Sequence, residues 1–357
     1  MHCAIDVREA CAPSRTGKGQ WTYGFVNELL SRDLALTLCT NRALPDEWGK
    51  MIALHPDRLH VRTDASKGLL WHWRMAQYFL RSSAIDTYIS PVSYIVPFLV
   101  GKRKNVIPVV HDLIAFRHEP HDRKATFIER FTLMRAVFSA CRIFTVSEST
   151  KKDLLQKFPT LSPENVSPVF AGPVFHDDQK NTSDGKTILC IATLCPRKNQ
   201  LNLIKAFASL PSAVREQSRL VLVGKRGWQD DEIVRLASET SGVEWLSYLS
   251  DAECDALMRT AAVFAFPSLY EGFGMPLLDA FRIGLPVLAS HRGSLSEVAG
   301  DAALLIDPEN IESMCTGLVW LLTDQKLRTV LREKGYLRAK NFSWKRTVDL
   351  CVAALSR

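Results

Sequence analysis

Short apolar runs alternate with longer segments in which apolar residues recur every three or four positions. Runs such as residues 106–110, 220–224 and 262–266 have the length and composition of strands buried on both faces. The segments between them, for example residues 21–30, have the spacing of helices that bury one face. This alternation predicts parallel sheets covered by helices, which is an α/β fold of doubly wound units.

The length of the chain predicts more than one domain. A chain of 357 residues exceeds one ordinary hydrophobic core and suits two domains of about 150 to 200 residues. Glycine, proline, aspartate and asparagine concentrate between residues 168 and 186 and mark a linker. We therefore expect a first domain over residues 1–170, a linker over 171–186 and a second domain over 187–341.

Cysteine usage and the absence of long apolar runs favour a cytoplasmic protein. Nine cysteines are an odd number and include no C-x-x-C pair, which argues against a disulfide framework and a zinc site. The sequence shows neither a signal segment at its start nor an apolar run of about 18 residues. We expect a reduced compartment and no membrane-spanning helix.

The positive charge of the chain lies in its first half. Residues 1–170 carry 23 Lys and Arg against 16 Asp and Glu, whereas residues 171–357 carry 22 of each. Such an excess suits nucleic acid, anionic lipid or an acidic acceptor, and it also suits an ordinary solvated surface. The aromatic and basic segment 68–83 and the run from Lys102 to Lys104 are candidates for contact with lipid headgroups, or for core packing and a surface turn.

The string E-G-F-G-x-P-x-x-D, from Glu271 to Asp279, joins a predicted strand to a predicted helix. The predicted loop runs from Tyr270 to Met275, contains Gly272, Phe273 and Gly274, and is expected at the carboxyl edge of a parallel sheet. Glycines there let the backbone approach a ligand, and the free amides at the start of the helix attract an anion. This loop is the strongest candidate for a binding site.

Other polar residues also follow predicted strands. Gly17 and Gly19 open a helix after the first strand, but Thr22 replaces the last glycine of a dinucleotide-binding fingerprint, which argues against a nicotinamide enzyme. His111 directly follows residues 106–110. Arg197 and Lys198 stand between a strand and a helix, where two cations suit a diphosphate.

Five segments in this order resemble family four retaining glycosyltransferases. They are T-G-x-G-x-x-T from Thr16, H-D-L from His111, T-V-S-E-S-T from Thr145, which looks like the family's T-V-S-E-x-S, P-R-K-N from Pro196 and the string that begins at Glu271. The resemblance covers nearly the whole chain. It implies the GT-B fold, in which two Rossmann-like domains face each other across a cleft and the last helix, here residues 342–357, packs back on the first domain.

The resemblance also implies the roles of the candidate residues. It makes His111 and Glu271 catalytic residues beside the transferred sugar. It assigns donor binding to Gly17, Gly19, Arg197, Lys198, Gly272, Phe273, Gly274 and Asp279. The family usually has Glu at the last of these positions, so Asp279, expected at the ribose, is one methylene shorter. Arg197 and Lys198 would serve the departing diphosphate, so no metal and no cofactor are expected.

The segments from His111 and Pro196 look most like bacterial mannosyltransferases that build surface polysaccharides such as O-antigen, capsule or exopolysaccharide. The expected donor is GDP-mannose, and the expected acceptor is a lipid-linked oligosaccharide. The expected location is cytoplasmic, or peripheral on an anionic inner membrane face, without nucleic acid. Alternatives are a UDP-glucose or other UDP-sugar transferase, a nucleotide-sugar epimerase or sugar phosphorylase, and a nonenzymatic nucleic-acid binder.

Overall fold

The computed structural model describes residues 1–117, 123–175 and 179–355. The chain forms two compact units. The N-terminal unit consists of Met1–Gly172 together with Ser343–Arg357, and the C-terminal unit is Pro173–Phe342. Each unit contains a parallel sheet covered by helices, as the alternation of buried strands and amphipathic segments predicts.

The N-terminal unit is built on a sheet of seven parallel strands in the order β3-β2-β1-β4-β5-β6-β7. Its strands are β1 (His2–Asp6), β2 (Ala35–Thr40), β3 (Leu59–Thr63), β4 (Thr87–Ser90), β5 (Asn105–Val110), β6 (Ile143–Thr145) and β7 (Val166–Pro168). Its helices are α1 (Gly17–Leu30), α2 (Asp46–Leu54), α3 (Gly68–Arg81), α4 (Ile95–Val100), α5 (Arg123–Ser139), α6 (Glu148–Lys157) and α15 (Trp344–Leu355). The chain builds outward in opposite directions from β1 and β4, so the topological switch point lies between them.

Large aromatic side chains fill the core of the N-terminal unit. Trp21 and Phe25 of α1 stack at 4.9 Å and are buried, and Trp71 and Phe79 of α3 are fully buried. Strands β1, β4 and β5 are buried at almost every residue, as expected for strands covered on both faces.

The last helix belongs to the N-terminal unit. A Cβ built on Gly24 of α1 would lie 2.1 Å from Cε2 of Trp344, the first residue of α15. The indole ring of Trp344 therefore occupies the space of the missing side chain, and it also meets Trp21 edge to face at 6.1 Å. Gly24 is required for this close approach of helix and ring.

The C-terminal unit is built on a sheet of six parallel strands in the order β10-β9-β8-β11-β12-β13. Its strands are β8 (Thr187–Ile191), β9 (Arg219–Val223), β10 (Val243–Leu246), β11 (Val263–Phe266), β12 (Val287–Ser290) and β13 (Leu304–Ile306). Its helices are α7 (Gln200–Ala208), α8 (Ser212–Arg215), α9 (Asp231–Glu239), α10 (Asp251–Thr260), α11 (Met275–Ile283), α12 (Ser294–Ala299), α13 (Ile311–Thr323) and α14 (Gln325–Ala339). The switch point of this sheet lies between β8 and β11.

Part of the predicted linker is attached to the C-terminal unit. The side chain of Asn181 donates to the carbonyl oxygens of Met258 and Ala261, at 2.9 Å in each case. The backbone N–H of Thr182 donates to the carbonyl of Arg259 at 2.8 Å. Polar groups of this segment thus form hydrogen bonds with the carbonyl groups at the C-terminal end of α10.

Candidate active site

The loops that follow β8 and β11 meet at the switch point of the second sheet. Pro196–Lys198 form a single helical turn after β8, and the loop after β11 runs to the start of α11. The backbone N–H of Leu269 donates to the carbonyl of Arg197 at 2.8 Å, which ties the two loops together. In open α/β sheets this crevice is where ligands bind.

Glu271 forms ion pairs with both predicted cations. Its Oε2 lies 3.0 Å from Nη1 of Arg197, and its Oε1 lies 2.5 Å from Nζ of Lys198. Nη1 of Arg197 also donates to the carbonyl of Tyr270 at 2.7 Å. The carboxylate and the two cations carry a net charge of +1, which favours an anionic ligand.

We call Arg197, Lys198 and Glu271 the triad. Burial and the charges of the three groups determine their ionisation. Burial opposes ionisation of Glu271, but Lys198 and Arg197 outweigh it and lower the pKa of the carboxyl group to about 2. Burial lowers the pKa of Lys198 although Glu271 raises it. Because Glu271 stays ionised at neutral pH, it can stabilise positive charge that develops on a bound ligand.

Two residues outside the predicted site residues hold Arg197, Lys198 and Glu271 in place. Asn199 has a φ of 62°, a left-handed conformation that asparagine tolerates better than most residues. Its Nδ2 donates to the carbonyls of Pro267 at 3.1 Å and Pro308 at 2.6 Å. The hydroxyl of Ser294 donates to the carbonyl of Glu271 at 2.7 Å. An asparagine directly after two cations at a strand end was the available signal for the first contact.

The glycine loop begins α11 as predicted. Gly274 caps the helix with a φ of 99°, and a Cβ there would lie 2.6 Å from Cδ2 of Leu295. Phe273 is buried and meets Phe342 edge to face at 5.7 Å. Gly272 follows Glu271 directly. The conformation at Gly274 therefore lets α11 begin directly after the loop that carries Glu271.

Asp279 is buried within α11 and uses one oxygen to hold the start of its own unit. Its Oδ1 accepts the backbone N–H groups of Val174 at 2.8 Å and Phe175 at 3.1 Å. Burial outweighs these hydrogen bonds and raises the pKa of the carboxyl group to about 7. The contact between Asp279 and the ribose stays a prediction, and Oδ2 is the oxygen that would make it.

His111 is buried in the N-terminal unit after β5. Its Nε2 lies 2.7 Å from the carbonyl of Pro91 and must carry the proton, since a carbonyl only accepts. Its ring meets Trp21 edge to face at 5.4 Å. Burial and Lys18 lower its pKa to about 3 although Asp112 opposes the shift. His111 is therefore a neutral imidazole at neutral pH.

The two glycines of the first loop have different surroundings. A Cβ on Gly17 would meet nothing within 4 Å, so this backbone is open to a ligand. A Cβ on Gly19 would lie 2.7 Å from the carbonyl oxygen of Glu9. The missing side chain of Gly19 thus serves packing within the chain, and its backbone N–H donates to the capping hydroxyl of Thr16.

The structure brings three of the ten predicted residues, Arg197, Lys198 and Glu271, into direct contact. Asp279 and the glycine loop belong to the same unit, whereas Gly17, Gly19 and His111 belong to the N-terminal unit. Over the described ranges, no group of three or more His, Cys, Asp and Glu is placed to hold a metal ion.

The ammonium group of Lys104, one of the candidates for headgroup contact, is bound within the N-terminal unit. Its Nζ donates to the carbonyls of Phe79 at 3.1 Å, Ser82 at 2.6 Å and Ile85 at 2.8 Å. An ammonium group has three N–H donors, and all three close the end of α3. Lys102 remains exposed on the same turn.

Residues 174–338 match the sequence family described as Glycosyl transferases group 1. O-antigen chain mannosyltransferase B of Escherichia coli is 30% identical over 304 residues, which cover 80% of this chain and 78% of that protein. The chain belongs to this glycosyltransferase family. The predicted class of enzyme is therefore confirmed.

Other relatives support the same class and the fold. The serotype-specific mannosyltransferase WbdA of Escherichia coli is 27% identical over 309 residues, and the match covers 78% of this chain but 38% of that longer protein. The crystal structure of Anabaena Alr3699/HepE in complex with UDP-glucose superimposes with a TM-score of 0.76 over 100% of this chain and 99% of that one, at 18% identity. This chain therefore has the predicted GT-B fold. No helix in the described ranges is long and apolar enough to cross a membrane.

Proposed function

We propose that this glycosyltransferase moves mannose from GDP-mannose, with retained anomeric configuration, to a lipid-linked oligosaccharide during synthesis of a bacterial surface polysaccharide. The observation that carries the proposal is the contact of Arg197, Lys198 and Glu271 at the switch point of the second sheet. The names of the E. coli relatives favour mannose and O-antigen.

The triad suits the charges of sugar transfer. Cleavage of the bond between sugar and diphosphate leaves negative charge on the departing oxygen and develops positive charge on the sugar ring. We assign the first charge to Arg197 and Lys198, together with the amides of the glycine loop. Glu271 stabilises the second charge. Since two cations serve the leaving group, we propose that transfer needs no metal ion.

We further propose a contact with the donor sugar for His111 and a contact with the ribose for Asp279. A neutral His111 whose Nε2 proton is held by Pro91 offers its other ring nitrogen as a hydrogen-bond acceptor for a sugar hydroxyl. Such a group orients the sugar and does not act as a general acid at neutral pH. Asp279 would hold the ribose with the oxygen that does not accept from Val174 and Phe175.

A lipid-linked acceptor requires access to a membrane surface, and α5 offers a face that suits one. Large apolar side chains are exposed along one side of this helix at spacings of four, three and four residues. This α5 face consists of Phe127 at 70%, Phe131 at 51%, Met134 at 45% and Phe138 at 45% exposure, with Ile128 at 47% beside it. Exposed apolar side chains along one side of a helix can enter the boundary between headgroups and acyl chains of a bilayer.

Cations adjoin the α5 face. The guanidinium of Arg135 lies 5.4 Å from the ring of Phe98, and this ring packs on Phe131 at 5.2 Å. Lys102 and Arg103 are exposed at the end of α4, which packs against α5. We therefore propose that anionic phospholipid, attracted by these charges, covers the α5 face.

Vesicle flotation tests the membrane contact. Phe131→Glu should abolish binding to vesicles of anionic phospholipid that the unchanged protein binds in low salt. Trp73→Glu is the matched control, because Trp73 is 52% exposed on α3 in the alternative segment 68–83. Equal binding of Phe131→Glu and the unchanged protein, or loss only in Trp73→Glu, would contradict the assignment to α5.

A panel of nucleotide sugars tests the proposed reaction. The protein is incubated with GDP-mannose, UDP-glucose and UDP-galactose, with and without a mannose-terminated acceptor, in the presence and absence of EDTA. GDP-mannose should be the preferred donor, acceptor should increase GDP release, and chelation should leave the rate unchanged. Preference for UDP-glucose would replace the donor assignment. Activity that EDTA abolishes and Mg²⁺ restores would contradict the role given to the two cations.

A further inference from the structure

A second polar network lies at the switch point of the first sheet. Asp6 is the last residue of β1 and is fully buried. Arg8 contacts it through two parallel hydrogen bonds, from Nε to Oδ1 at 3.0 Å and from Nη2 to Oδ2 at 2.7 Å. Strands β1 and β4 are neighbours in this sheet, so the pair occupies the position at which open α/β sheets bind ligands.

His72 and Trp71 of α3 fix the guanidinium of Arg8. Nδ1 of His72 donates to the carbonyl of Gly68 at 2.8 Å, so its Nε2 is the acceptor. Nη2 of Arg8 donates to that Nε2 at 2.9 Å, and the hydroxyl of Ser93, after β4, lies 3.1 Å from it. The guanidinium carbon stands 3.6 Å from the centre of the Trp71 ring.

These contacts leave part of the guanidinium available. Of the five N–H groups of an arginine, Nε uses one and Nη2 uses two in the contacts with Asp6 and His72. The described residues accept no hydrogen bond from Nη1, and the side chain of Arg8 is 15% exposed. A buried ion pair is costly to assemble, and this one holds an oriented guanidinium at the edge of the sheet where ligands bind.

The charge of the network indicates which kind of ligand it suits. Asp6 neutralises Arg8, and His72 is held neutral as an acceptor, so the network carries no net charge. The triad at the corresponding place in the second sheet has a net charge of +1. A diphosphate therefore suits the second sheet, whereas uncharged hydroxyl groups suit the first.

We propose that Arg8 binds the hydroxyl groups of the terminal sugar of the acceptor oligosaccharide through its Nη1 N–H groups. Asp6 and His72 are positioning residues that orient the guanidinium. This inference rests on the proposed transferase reaction, and it extends that reaction to residues that the sequence did not single out. It assigns the acceptor sugar, and not the nucleotide, to the switch point between β1 and β4.

Acceptor kinetics of Arg8→Lys test the proposal, because lysine keeps a positive charge beside Asp6 but has no Nη1. The probe is octyl α-mannotrioside, with the donor that the nucleotide-sugar panel identifies. We expect KM for the probe to rise at least ten-fold, while GDP affinity and hydrolysis of the donor without acceptor stay within two-fold. The matched control is Arg74→Lys, an exposed arginine of α3 that pairs with Asp64 at 3.3 Å and should behave like the unchanged protein.

The variants of His72 separate positioning from folding. His72→Gln keeps an acceptor for Arg8 and should retain a KM for the probe within about three-fold, whereas His72→Leu should raise it as Arg8→Lys does. An unchanged KM for the probe in Arg8→Lys would overturn the proposal, and so would an equal loss of GDP affinity. If Arg8→Lys does not fold, the His72 pair decides by the same readouts. Failure of the unchanged protein to use GDP-mannose contradicts the proposed donor alone.

Discussion

Replacement of the buried acid in α11 should stabilise the protein, and the gain should grow with pH. Asp279 is 4% exposed and its pKa is raised to about 7, from an ordinary value of 3.8, because burial outweighs the hydrogen bonds from Phe175 and Val174. Asp279→Asn removes the ionisable group but keeps a carbonyl oxygen that can accept both backbone N–H groups. The variant therefore tests the burial of this carboxyl group.

The sign of the pH effect follows from proton linkage. Above pH 3.8 the unfolded chain loses the proton of Asp279, whereas the folded chain keeps it until about pH 7. The folded state thus binds more protons between these values, and its stability falls as pH rises. At 1.36 kcal/mol per pH unit, with the slope halved at the folded pKa, the fall is about 2 kcal/mol between pH 5 and pH 7 and about 3 kcal/mol by pH 8.5. It levels off at higher pH.

The assay is thermal or urea unfolding of the unchanged protein and Asp279→Asn from pH 5 to pH 8.5. The difference in free energy of unfolding should shift in favour of the variant by about 3 kcal/mol across this range, or on the order of 5 to 10 °C in Tm. Glu244→Gln, which replaces an exposed acid in β10 by its amide, is the matched control. A pH-independent difference for Asp279→Asn would refute the reasoning.

Titration of Asp279→Asn with GDP tests the ribose contact separately, since loss of this contact should weaken GDP binding about ten-fold or more.

Two further predictions concern packing in the N-terminal unit. Gly24→Ala should lower the free energy of unfolding by about 1 to 3 kcal/mol because its Cβ would lie 2.1 Å from Trp344, whereas Gly49→Ala, with nothing within 4 Å, should be neutral or stabilising. Equal denaturation midpoints for the two variants would contradict the close packing of Trp344 on Gly24. Lys104→Met should destabilise the unit by about 2 kcal/mol by leaving three carbonyls without their donor, while exposed Lys102→Met should not. If only Lys102→Met lowers the denaturation midpoint, the structural role of Lys104 is wrong.

The sequence predicted the parts of the site that depend on local pattern. A buried strand followed by E-G-F-G and a proline fixes where the loop ends and α11 begins, and Gly274 and Gly284 bound the helix as expected. The fold class follows from the alternation of strands and helices for the same reason. The end of the loop and the bounds of α11 are determined by residues that are neighbours in the sequence.

Contacts between distant segments could not be predicted in this way. Arg197 and Lys198 were expected at a diphosphate, but their pairing with Glu271 depends on the adjacency of β8 and β11. Arg197 and Glu271 are 74 residues apart in the sequence. Arg8 and His72 meet because β1 and α3 lie side by side, and neither belongs to a motif. The contacts of Lys104 could not be predicted because a cation in a polar run looks the same whether its partners are water or backbone carbonyls.

The central claim is that the triad of Arg197, Lys198 and Glu271 is the donor site of a glycosyltransferase. Kinetics and GDP titration of Glu271→Gln test it most directly, because the change removes the negative charge and keeps the shape. We expect kcat for sugar transfer to fall on the order of 100-fold or more, since the charge acts mainly in the transition state. GDP affinity should stay within a few-fold or increase, because the two cations lose a competing anion. A kcat close to that of the unchanged protein, or a loss confined to GDP affinity, would contradict the claim.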